Sequence, residues 1–172
     1  YKAQPLPYSD VDLERWYGLD VMWMHHMGYM EGVGGGRFAP QATVTRAQLV
    51  TLLSRVRPDL LTENYSDDPV YSDVPADAWY AKAVCWANSA QVVRGYPDGT
   101  FRPNEPVTRE QLAVMLMRCE KPEQAAPEDA LDGFADAADV STYAQSAMRW
   151  AVSNGILQGV GGDAAGPLLS PG

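Results

Sequence analysis

Between Trp79 and Val93 the apolar residues Trp79, Ala83, Trp86, Ala87, Ala90 and Val93 fall at i, i+4, i+7, i+8, i+11 and i+14. That series is one stripe at helical period and predicts an amphipathic helix. The same stripe appears upstream as Trp16, Trp23, Met24, Met27 and Met30, with Asp20 as its polar misfit. A second stripe follows each: Leu49, Leu52, Leu53 and Val56 in the first case, Leu112, Met115, Leu116 and Cys119 in the second. Both second stripes open on Thr-x-x-Gln, at Thr45 to Gln48 and Thr108 to Gln111. A threonine hydroxyl there caps a backbone N–H and the glutamine reaches back to the cap. Gly32 and Gly95 follow the first stripes, where glycine is expected to end a helix. YPDGTFRP at 96–103 places proline and glycine as a tight turn wants them. Each unit therefore reads as helix, loop, helix, with a short extended piece near the phenylalanine.

The unit is repeated. YSDV at 8–11 returns at 71–74, and at that fixed offset Trp16 meets Trp79, Trp23 meets Trp86, Gly32 meets Gly95 and Phe38 meets Phe101. VTRAQL at 44–49 meets VTREQL at 107–112. A third copy aligns Phe134 and Asp136 with Tyr71 and Asp73, then Trp150 with Trp86 after a single-residue insertion. Its loop, VGGDAAGPLLSP, is longer, with Leu169 and Pro171 in the places of Phe101 and Pro103. Gly172 is then reached without a third Thr-Arg helix. The units span 1–57, 71–120 and 134–172, joined by acidic, proline-bearing connectors at 57–70 and 120–133. No unit can bury its stripe alone, so the copies are expected to pack around a shared axis. The fold class expected is mainly α, with the third repeat lacking its last helix. That lack should leave an apolar face open, to be covered by residues following Gly172, a cleaved but retained peptide, or a partner chain.

Charge narrows the partners. The net charge of −9 argues against nucleic acid as partner, which needs a basic face. No apolar run reaches the roughly 18–20 residues of a bilayer span. The opening YKAQPLP is neither a signal peptide nor an initiator segment, as in a trimmed product or a fragment. His25 and His26 are adjacent on a predicted helix, and no carboxylate or cysteine stands at metal spacing, so no metal or cofactor is expected. The methionines at 22, 24, 27 and 30 read as core filling. Cys85 and Cys119 fall one on each helix of the second copy, where Met22 and Val56 stand in the first. Core thiols are the favoured reading and a disulfide is the alternative. No nucleophile elbow, phosphate loop or metal motif is present. The acids sit in connectors and at repeat-equivalent positions, whereas catalysis needs one asymmetric constellation, so no enzyme is expected.

Arg46 and Arg109 need a reason. Each falls in the first turn of its predicted helix, where the dipole favours negative charge. A capped N-terminus has free backbone N–H groups, and an arginine adds a planar fork suited to carboxylate. The combination is a candidate anion site on an acidic protein.

Together, the aromatic-x-Asp start, the Trp-Tyr pair, the G-Y-P-D-G-T-F-x-P loop and the T-R-x-Q helix start resemble the S-layer homology domain. The match is close over 71–119, good over 8–56 and partial over 134–172. This resemblance implies a helical pseudo-threefold spindle of three tandem repeats at the extracellular surface of a bacterial cell wall. It implies non-covalent anchoring through a secondary cell-wall polysaccharide capped by a pyruvylated sugar, held in grooves between repeats. The family's arginine would pair with the pyruvyl carboxylate, which points to Arg46 and Arg109. Asp10, Asp73 and Asp136 are candidates for sugar hydroxyls or for fixing the arginine, although aspartate equally organises local turns. Trp16 and Trp79 are candidates for an apolar wall, while Trp23, Trp86 and Trp150 are expected in the core. Gly95 and the glutamines Gln48 and Gln111 complete the candidate set, with Gln48, Gln111, Thr45 and Thr108 expected to act as caps first. Copy three departs at Thr142, which replaces the tryptophan, and at the absent Thr-Arg element. The alternative function is a structural assembly module that self-associates without binding glycan.

Overall fold

The computed structural model describes residues 6–61, 63, 65–163 and 166–172. Among them are five α-helices: α1 (Gly18–His26), α2 (Arg46–Val56), α3 (Ala81–Ser89), α4 (Arg109–Glu120) and α5 (Gln145–Ser153). A two-stranded antiparallel hairpin, β1 (Val160–Asp163) and β2 (Gly166–Leu168), forms in the long loop of the third copy. The protein is mainly helical, as its periodicity predicts. In the first two units the first helix begins later and ends sooner than its stripe. Trp79 and Tyr80 lie in the turn before α3, and the α3 C-cap is Ala90. Gly95 is therefore no helix terminator. It lies beyond the helix at φ +64°, and a Cβ there would come within 2.2 Å of the Tyr71 ring. Glycine is required by that close approach.

Packing is a relay. α2 of the first unit lies against α3 of the second, and α4 of the second against α5 of the third. The first contact buries Leu49, Val50, Leu53, Trp86, Ala87 and Phe101 in one core. The second buries Ala113, Val114, Met148, Trp150 and Leu169 in another. Each fully buried large side chain contributes about 1.5–3 kcal/mol. Leu112 and Leu116 pack against both cores and join them.

Among the described residues no helix packs along α1 as α2 and α4 pack along α3 and α5, and no α1 residue belongs to either core. Trp86 and Trp150 are 4% and 7% exposed, but Trp23 is 55% exposed. Leu19 and Met27 are also exposed. The core position expected for Trp23 and Met27 is thus corrected. Their stripe has the right period, but the helix that covers its equivalents is missing there. His25 Nδ1 lies 2.8 Å from the Tyr8 hydroxyl, which gives that histidine a structural partner. Cys85 and Cys119 are free, buried thiols.

One device fixes the loop in every copy. The Asp10 carboxylate accepts the N–H groups of Phe38 and Ala39, both at 2.8 Å. Asp73 accepts those of Phe101 and Arg102 at 2.7 Å, and Asp136 those of Leu169 and Ser170 at 2.6 and 2.7 Å. The second partner always has a left-handed backbone: Ala39 at φ 60°, Arg102 at 59°, Ser170 at 47°. A non-glycine residue there costs about 1–2 kcal/mol, which two charge-assisted hydrogen bonds offset.

Candidate ligand-binding cleft

The first turn of α2 builds the junction between the first and second units. Thr45 accepts the Gln48 N–H at 3.3 Å and its own N–H donates to Gln48 Oε1 at 2.9 Å, a complete capping box. The next two amides, of Arg46 and Ala47, donate to the carbonyls of Glu105 and Pro103, both at 3.0 Å. The expectation that these N–H groups face an anion is corrected: the neighbouring loop satisfies them.

The arginine side chain supplies the positive charge instead. Arg46 is 5% exposed. Its Nε donates to the Phe101 carbonyl at 2.8 Å and its Nη1 to Gln111 Oε1 at 3.2 Å. Its guanidinium carbon lies 4.7 Å from the Phe101 ring centre and 5.0 Å from that of Tyr96. Burial pushes its pKa down from the usual arginine value, against the opposing influence of Tyr96 and Glu105. Arginine nevertheless stays charged. Nη2 has no acceptor among the described residues. Holding this fork inside the junction explains why an arginine is tolerated at an unfavourable dipole end.

Gln111 shows the same diversion. Thr108 caps the Gln111 N–H at 3.3 Å, but the Gln111 side chain does not return to the cap. It accepts from Arg46 and donates to the Tyr96 hydroxyl at 3.4 Å. Gln48 is a cap, whereas its repeat equivalent is part of the junction.

A cleft of about 260 Å³ opens here, lined by Arg46, Arg94, Tyr96, Gln111, Arg118 and Tyr143 among others. Gly95 lines it too, so the structure brings Arg46, Gln111 and Gly95 together. The other candidates lie elsewhere. Asp10 and Asp73 hold their loops. Trp16 and Trp79 are exposed and stand edge-on to Tyr17 and Tyr80. Arg109 occupies the next junction, where its Nε donates to Leu169 O at 2.7 Å and its Nη2 to Gln158 O at 2.6 Å.

Sequence reasoning missed Arg94, Arg118, Tyr96, Tyr143 and Glu110. Arg118 donates to the Val92 carbonyl at 3.1 Å, and burial followed by the charge of Arg94 lowers its pKa. Glu110 is buried and accepts the Ser141 N–H at 3.0 Å and the hydroxyls of Ser141 and Tyr143 at 2.8 Å. Burial, then this hydrogen bond, raises the Tyr143 pKa. The available signal was difference between copies: Glu31, Val33 and Ala47 stand where Arg94, Tyr96 and Glu110 stand in the second.

The fold and cleft define a helical tandem-repeat module whose repeats are joined by arginine forks. The sequence profile of the S-layer homology domain matches residues 7–50, 70–113 and 133–164, with the third match shortest. This chain belongs to the S-layer homology domain family. It is 31% identical over 161 residues to an endoglucanase of Bacillus sp. (strain KSM-635), an alignment covering 92% of this chain and 16% of that protein. It is 32% identical to the surface-layer 125 kDa protein of Lysinibacillus sphaericus, covering 77% of this chain and 11% of that one. A cellulosome-anchoring protein of Acetivibrio thermocellus is 27% identical, over 54% of this chain and 21% of its own length. The chain thus spans a small part of each of these larger relatives.

Proposed function

We propose that this chain anchors a protein to the bacterial cell surface by binding an anionic cell-wall polysaccharide, without catalysis of its own. The observation that carries this reading is the buried Arg46 fork beside Arg94 and Arg118 in the cleft, on a chain whose net charge is −9. Names of relatives such as a surface-layer protein and a cellulosome-anchoring protein support the anchoring role. The ligand group is a carboxylate, for which a pyruvyl ketal on a sugar is the expected form. Arg46 Nη2 donates to it, while Phe101 and Gln111 hold the guanidinium plane in place. Burial strengthens such a charge-assisted contact relative to one in water.

The test is binding to purified cell-wall polysaccharide with and without its pyruvyl groups. Wild type is compared with Arg46→Ala, Arg46→Lys and Arg109→Ala, each checked for folding by circular dichroism. Binding should need both the pyruvate and the Arg46 fork, with Arg46→Lys weaker by about tenfold. Equal binding by a folded Arg46→Lys would overturn the reading.

A separate observation supports a second, compatible reading. The open α1 face with Leu19, Trp23 and Met27 fits a helix of the α2 and α4 type, because such a helix covers both equivalent faces. A peptide with the α4 sequence should bury Trp23 and blue-shift its fluorescence. A monodisperse monomer that ignores the peptide counts against it, and self-association without it favours assembly through a second copy.

A further inference from the structure

A second cleft, of about 650 Å³, lies between the end of α4 and the side of α5. Arg94, Arg118, Lys121 and Arg149 line it, with Glu128 as its acid and Trp150 in its wall. These cations converge from three segments: the loop after α3, the last turn and C-cap of α4, and α5. Basic residues at a helix C-terminus alone would be dipole compensation. Arg94 and Arg149 are not at that terminus and need another reason.

Two further observations point to a ligand. The ion pairs among the described residues involve Arg15, Arg55, Arg57, Lys82 and Arg102, and none of the four cleft cations. Arg149 Nε is buried and has no hydrogen-bond partner among the described residues. A buried donor without an acceptor is costly, on the order of 1–3 kcal/mol. The repulsion between Arg94 and Arg118 adds to that cost, and none of the four cleft cations is ion-paired on a protein that has 22 acidic residues to choose from.

The two clefts are continuous in their lining, since Arg94 and Arg118 border both. We propose that this cleft is a second anion subsite, holding another carboxylate or phosphate of the same polymer whose first acidic group sits at Arg46. The inference rests on the polysaccharide reading for its ligand, but the subsite has its own chemistry. Arg94 and Arg118 hold the stretch between the two acidic groups. Lys121 and Arg149 neutralise the second, and Trp150 walls the sugar between. The module then reads the spacing of charges along a chain as well as one terminal acid.

The first experiment uses tripolyphosphate as probe and the Arg149 Nε–H resonance as readout. Saturable movement of that resonance is expected in wild type and in Arg46→Lys. It should be lost in the double variant Arg118→Gln/Lys121→Gln and unchanged in Arg15→Gln, which removes an exposed cation that lines neither cleft. No movement in wild type overturns the subsite whatever Arg46 does. The second experiment compares acidic cell-wall oligosaccharides carrying one or two acidic groups, with phosphate-free and pyruvate-free preparations as separate arms. The second group should tighten wild-type binding about tenfold. That gain should fall to about twofold or less in Arg149→Gln, while affinity for the one-acid fragment stays unchanged. An undiminished gain in Arg149→Gln overturns the subsite and leaves the Arg46 reading standing. Loss of one-acid binding confined to Arg46→Lys supports the Arg46 reading independently.

Discussion

Asp73→Ala removes the clamp on the loop of the second repeat. Its two oxygens accept the Phe101 and Arg102 amides at 2.7 Å, and the Phe101 side chain beneath them is fully buried. A hydrogen bond to a charged acceptor contributes about 1.5–3 kcal/mol. Asp73 is half-buried, so the low end applies and the pair is worth about 3 kcal/mol. The alanine also leaves Arg102 at φ 59° without the contact that holds it there. For a domain of this length, each kcal/mol moves Tm by about 2–4 °C. Asp73→Ala should therefore lower Tm by about 6–12 °C. Asp73→Asn keeps one oxygen and should lose about half as much. Asp10→Ala removes the same geometry over Phe38, which is only half-buried, and should lose less than Asp73→Ala. Thermal unfolding followed by circular dichroism gives all three. A loss below about 0.5 kcal/mol for Asp73→Ala, or equal losses for Ala and Asn, would refute the reasoning.

Three other outcomes follow from buried or titrating groups. Glu110→Ala strips the acceptor from the Ser141 amide and two hydroxyls and should cost about 2–4 kcal/mol, with faster hydrogen exchange at Ser141; Glu110→Gln should fall between it and wild type. The backbone N–H of Phe38 chiefly holds the Asp10 carboxyl below its usual range, while at Asp136 burial raises it and the Leu169 and Ser170 amides more than reverse that. A depressed carboxylate stabilises the fold above its unfolded pKa of about 4, and that stability is lost as pH falls through the lower folded value. Acid titration should therefore destabilise the protein below about pH 4, and Asp10→Asn should flatten that limb. Burial pushes the Cys119 thiol up to about 11 and raises Cys85 as well; iodoacetamide at about pH 8 should label both only on unfolding, and rapid labelling of folded protein would contradict their burial.

The repeats and their helices were legible in the sequence because each depends on local spacing. Stripes at period 3.6 marked where α1 to α4 lie, though too widely for α1 and α3, the alignment of the third copy marked α5, and Thr-x-x-Gln fixed where α2 and α4 start. Burial was legible only where a neighbour exists. Trp23 has the same local pattern as Trp86, and the difference between them is made by α2 lying on α3, which no stripe encodes. The unusual place of Arg46, now seen buried in the junction, was legible through its misfit with the dipole. Its supporting residues were not, because Tyr96 sits in a turn, Arg94 after a helix and Glu110 beside a cap, each with an ordinary local explanation. Nor could local patterning distinguish Gln48, which caps its own helix, from Gln111, which turns to another repeat's arginine.

The same comparison separates the two repeated arginines. Arg46 and Arg109 each send Nε to the carbonyl of the next unit's loop, at Phe101 and Leu169. Beyond that the junctions differ. At the first, Tyr96 and Gln111 flank the fork, Arg94 lines the cleft and Nη2 is unengaged among the described residues. At the second, Gln158 and Val160 replace Arg94 and Tyr96, and Arg109 Nη2 already donates to the Gln158 carbonyl. Each arginine keeps one terminal nitrogen unengaged among the described residues, Nη2 of Arg46 and Nη1 of Arg109, so what sets them apart is the cationic cleft at Arg46, and on the proposed reading Arg109 serves as a buckle between repeats. Arg109→Ala should therefore lower stability by about 1–3 kcal/mol while leaving polysaccharide affinity within about twofold. Arg46→Lys should show the opposite balance, with affinity falling further than stability. If Arg109→Ala abolishes binding at full stability, the second junction is a working site and this division between the arginines is wrong.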